Sequence, residues 1–169
     1  MKKMKSLLVA IALIFGATSF VNAQSKVAHI DTQALVQAMP EMKAAQSQLE
    51  KLQKTYDTEI KNLVKEFETK LKQFEVEAES KTAEENAKRA EEAQAMQSNI
   101  AAYRQGALED LQKKQEALIA PILEKARTAI QKVGRTQGFQ YVFDNASGAG
   151  LLLAEGKDLL SDVKKELGI

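Results

Sequence analysis

The chain is 169 residues long, with 24 basic and 23 acidic side chains, one histidine, no cysteine and no tryptophan. That balance argues against a general nucleic-acid binder, and the missing cysteines exclude a disulfide framework. Aromatic residues at 5 % leave little for a large globular core, whereas 28 % charge among many Ala, Gln, Lys, Glu and Leu is the composition of long helices.

Residues 1–23 read as a leader. Lys2, Lys3 and Lys5 precede an apolar run, Leu7 to Phe15, too short to span a bilayer, and Val21-Asn22-Ala23 is a small-residue cleavage site. Without it about 146 residues remain, one domain by length, with 21 bases against 23 acids. No cysteine is available to carry a lipid anchor, so stable membrane insertion is not expected.

Lys26 to Asp31 is a short strand candidate, and Asp31 or Thr32 caps a brief helix through Ala38. Pro40 suits the first turn of a new helix. From there the apolar positions Leu49, Leu52, Tyr56, Ile60, Leu63, Phe67, Leu71 and Phe74 hold one helical face. Each 3-4-4 set of steps closes in eleven residues, which predicts a straight or faintly right-handed helix. The pattern lapses near Ser80, and Thr82 with Glu85 forms a capping box that restarts the chain.

A second helix follows from Ala83 to about Val133. Its seam is Met96, Ile100, Tyr103, Ala107 and Leu111, then Leu118, Ile122, Ala126, Ile130 and Val133, with only alanines on the apolar side of residues 83–95. So short a connection makes the two helices antiparallel, a coiled-coil hairpin. Eight acid–base pairs four residues apart, including Glu66–Lys70, Glu84–Lys88 and Glu85–Arg89, support both helices. Pro121 should kink the second helix at a shoulder.

Gly134 and Gly138 end that helix. Phe139 to Asp144 alternates as a strand, residues 145–150 are turn chemistry, and Leu151 to Ala154 reads as a second strand completing a β-hairpin. Asp158 or Ser161 caps a last helix with Leu160, Val163 and Leu167 inward. The fold class is therefore α+β. Residues 24–39 and 134–169 form a small β body from both chain ends, and residues 40–133 form a helical arm with its tip near 80–83. A sheet this small has open edges and needs partners, so an oligomer is expected.

The strand Val27 to Asp31, the shoulder Ala120 to Lys125 and the run Gly138 to Asn145 resemble the Skp (OmpH-like) periplasmic chaperones, and the resemblance extends over residues 24–169. It implies a homotrimer in the periplasm with a barrel-like body and three tentacles. Unfolded outer-membrane proteins would be held between these without ATP during outer membrane protein assembly. Body contacts are then expected from Val27, Ile30, Phe139, Tyr141, Val142, Phe143, Leu151 and Leu153, and client contacts from Val64, Phe67, Phe74, Val76, Ile119 and Leu123. One departure stands out. Residues 75–92 hold seven acids against three bases, whereas residues 104–135 hold seven bases against four acids. The acidic tip disfavours lipopolysaccharide binding there.

No enzyme is expected. His29 is alone and reads as structural, no Gly-x-Ser-x-Gly turn is present, and Gly156-Lys157 lacks the spacing of a phosphate loop. No cofactor, metal or nucleic acid is called for. The alternative is a coiled-coil adaptor of the cell envelope that docks on one folded partner.

Overall fold

The computed structural model describes residues 26–146 and 151–169. The leader and most of the predicted turn at 145–150 lie outside them. In chain order the elements are β1 (Val27–Ile30), α1 (Thr32–Ala38), α2 (Pro40–Glu77), a 3-10 turn (Ala78–Ser80), α3 (Ala83–Thr136), β2 (Tyr141–Asp144), β3 (Lys157–Asp158) and α4 (Leu160–Leu167).

Local chemistry starts and stops these elements. Asp31 caps α1, its carboxylate accepting from the Ala34 N–H at 2.8 Å. Pro40 opens α2 in the first turn, where its missing N–H costs nothing. The capping box at Thr82 is formed in both directions. Pro121 lies inside α3 without ending it, and Gly168 closes α4 with a φ of 74°.

The sheet departs from the expected hairpin. Its order is β2-β1-β3, and both neighbours run parallel to β1, with Ala28 opposite Val142 on one side and Lys157 on the other. Leu151 to Ala154 is not a strand. The pairing goes instead to Lys157–Asp158, which lies against β1 on the side away from β2 and leaves the outer edge of β2 open among the described residues. Gly156 permits the approach, since a Cβ there would sit 2.9 Å from the Val27 carbonyl oxygen.

The core lies where the arm meets the sheet. Ala28 and Ile30 from β1, Leu35 from α1, Met42 and Ala45 from α2, Ile122, Ala126, Ala129 and Val133 from α3, and Leu159 and Val163 bury together. Beyond this cluster α2 and α3 run on as an arm with only a thin seam between them.

Candidate functional site

The arm seam is built in layers. On α2 the seam runs through Met42, Leu49, Tyr56, Leu63, Lys70 and Glu77, each seven apart, with Ala45, Leu52, Ile60, Phe67 and Phe74 between them. On α3 Asn86, Ala93, Ile100 and Ala107 alternate with Arg89, Met96, Tyr103 and Asp110, again seven apart. Seven-residue spacing belongs to left-handed winding rather than to the eleven-residue repeat. The difference comes from Leu71, which is 40 % exposed while Lys70 takes the seam.

Mid-arm, Tyr56 sits edge to face with Tyr103 at 6.1 Å and donates to the Asp110 carboxylate at 2.7 Å. That bond holds the Tyr56 phenol above its ordinary range. The outermost layers are polar. Lys70 pairs with Glu92 at 2.8 Å, Arg89 pairs with Glu77, and both cations approach the Phe74 ring, Lys70 Nζ at 5.7 Å and the Arg89 guanidinium at 5.1 Å from its centroid. Asn86 donates across to the Ala78 carbonyl at 3.0 Å. The Gln73 amide, then Arg89, hold the Glu77 carboxyl below its usual range. The tip is thus clamped by charge rather than lined by alanine alone. Of the predicted pairs within one helix, Glu84–Lys88 closes at 2.9 Å, whereas Lys70 and Arg89 turn to the other helix.

The arm candidates divide by exposure. Val76 at 84 % and Leu123 at 49 % stand in solvent. Val64, Phe67 and Phe74 are half-buried along the hairpin, and Ile119 packs against the core cluster. The body candidates divide likewise. Ile30 is inside the chain's own core and Phe139 and Val142 pack against it, while Val27, Tyr141, Phe143, Leu151 and Leu153 are exposed. Tyr141 and Phe143 stack at 6.4 Å on β2, an edge strand. Leu152, which the sequence reading passed over, is fully exposed. Continuing the seven-residue row upward from Met96 reaches Arg89, and the same row would have found the tip clamp.

At the base of the arm a groove of about 590 Å³ has a floor of Val36, Met42, Leu123, Ala126 and Ile130 and a polar rim of glutamines with Arg127, Thr32 and Asp144. Beside it Asp144 accepts from the Thr32 hydroxyl at 2.6 Å and from its N–H at 3.2 Å. Burial alone would raise the Asp144 carboxyl, but bonds from Thr32 and Ala146 leave it below its ordinary value. His29 lies in the central strand, its Nδ1 buried without a partner. Among the described residues no cluster of three or more His, Asp or Glu side chains could hold a metal, and no helix is long and apolar enough to cross a membrane.

Comparison with known proteins shows what the chain is similar to. The family described as "Outer membrane protein (OmpH-like)" matches residues 26–167. The chain is 23 % identical over 157 residues to the chaperone protein Skp of Pectobacterium atrosepticum, covering 93 % of this chain and 94 % of that one. It is also similar to the crystal structure of an OmpH-like protein from Caulobacter crescentus CB15, with a TM-score of 0.75 over 88 % of each chain and 15 % identity, a likeness of fold.

Proposed function

The chain belongs to the OmpH-like outer membrane protein family, and on that premise we propose that it is an ATP-independent holdase of the periplasm. Its clients are unfolded outer-membrane proteins in transit, kept from aggregating in a space between arms. The observation that carries this reading is the arm itself, a 38-residue helix and a 54-residue helix projecting from a body too small to need them. Apolar side chains are spread along it, from Leu123 at the shoulder through Phe67 to Val76 near the tip. Many weak contacts of this kind give avidity while each remains easy to break. Release then needs no nucleotide, since folding of the client elsewhere draws it off.

The body reading follows from its edges. Among the described residues both outer strands of the sheet lack a second neighbour, and a parallel sheet is ordinarily covered on both faces. Tyr141, Phe143 and the leucines at 151–153 lie exposed beside it. We infer that copies of the chain meet there as a homotrimer, with Val27, Phe139 and Val142 at the margin of the contact. An arm whose tip pairs its own charges offers poor purchase to an anionic lipid headgroup.

The test is dilution of a denatured β-barrel protein into buffer with and without the chain, followed by light scattering, with the native mass measured on the same sample. A trimer that suppresses scattering for several unrelated barrels is the expected result. A monomer without effect removes the holdase reading, and binding to one folded partner alone favours an envelope adaptor.

A further inference from the structure

Leu151, Leu152 and Leu153 stand 41, 100 and 71 % exposed, the longest run of exposed large apolar side chains among the described residues. Single apolar residues on a surface need no explanation, whereas a contiguous patch marks a contact. The same body carries an open apolar hollow, the groove floored by Val36, Met42 and Ile130. None of the three leucines lines the groove of its own chain.

Strand order assigns the two features to opposite edges of the sheet. Thr32 and Asp144 line the groove, and Asp144 ends β2, so the groove opens beside one free edge. Leu153 precedes β3, the strand at the other edge, by four residues. Copies arranged about a rotation axis meet head to tail, each presenting its β2 side to the β3 side of the next. The groove is formed before any copy arrives. Met42 and Ala126 are packed in the chain's own core, and the Thr32 hydroxyl and N–H hold Asp144 at 2.6 and 3.2 Å.

We propose that the leucine strap of one copy seats in this groove of the next, with Leu152 as its anchor. The contact rests on the reading of an assembly of three copies, and it gives that ring a direction. Each groove takes one strap, so a closed ring leaves neither unfilled. Residues 151–155 enter no strand pairing, and the rim glutamines Gln33, Gln37 and Gln131 are placed to bond their backbone.

The chain has no cysteine, so introduced thiols report one contact at a time. Leu152→Cys and Gln131→Cys are combined in the full chain, the native mass is recorded, and a short bis-maleimide is added before a denaturing gel. Covalent dimers and trimers that neither single variant gives are the expected result. A link closed within one chain shows the strap on its own groove and overturns the proposal, as does a native trimer that yields no link. A native monomer removes the assembly reading and the strap contact with it. Leu152→Ala should raise the concentration at which the assembly half-dissociates about tenfold or more, the equivalent of one leucine side chain buried per contact, with helix content unchanged by circular dichroism. An unchanged dissociation concentration overturns the anchor role and leaves the trimer standing.

Discussion

At Gly156 the neighbouring atom is main chain, so nothing can swing aside. The Val27 carbonyl oxygen, which a Cβ at this position would approach to 2.9 Å, belongs to the strand that β2 and β3 both need. Gly156→Ala must shift β3 or β1, at a cost of about 1–3 kcal/mol, and should lower the thermal midpoint by several degrees in a circular dichroism melt. An unchanged midpoint would mean that β3 is dispensable. Tyr56→Phe keeps the ring on Tyr103 but removes the bond to Asp110. It should cost about 1 kcal/mol, read by denaturant titration, and a Tyr103→Ala change should cost more.

The two helices of the arm were legible because their apolar residues repeat and their starts carry signals, Pro40 and Thr82 with Glu85; the end of α3 was not, since Gly134 is buried within the helix, against Val142, and the helix runs on to Thr136. The choice between Lys70 and Leu71 was not legible from α2 alone. It depends on Glu92 offering the ammonium a partner from across the hairpin, beside the Phe74 ring one turn further along α2. Leu151 to Ala154 likewise has the look of a strand, yet pairing is decided by which backbone reaches β1, and Gly156 gives that place to Lys157. The charged layers also set how the hairpin meets acid. Glu77 and Glu85 both titrate below the ordinary 4.5, the first held by Gln73 and Arg89, the second by the Thr82 backbone and hydroxyl. Their folded values lie under their unfolded ones. Their stabilisation is therefore complete above about pH 4.5 and is lost as the pH falls through the lower folded values. Exchange protection over residues 70–92 should hold at pH 6 and drop below pH 4.5, while the apolar layers at Leu49 to Leu63 keep theirs longer. Simultaneous loss along the whole arm would refute a charge-clamped tip.

For the molecule as a whole, body and arm carry separable burdens. Phe143→Asp places a charge on the exposed edge strand and should abolish assembly, measured as native mass, without unfolding the arm. Ser80→Gly, in the 3-10 turn at the far end, should leave that mass unchanged. Loss of assembly from the turn substitution would contradict this division. The strand order has a bearing on biogenesis too. The middle strand leaves the ribosome first, and the two that flank it wait until both helices of the arm have been synthesised. A chain cut short anywhere in the hairpin is left with β1 bare on both sides. On the proposed meeting of copies at the sheet edges, only a finished polypeptide joins its siblings, and the topology itself screens out truncated products.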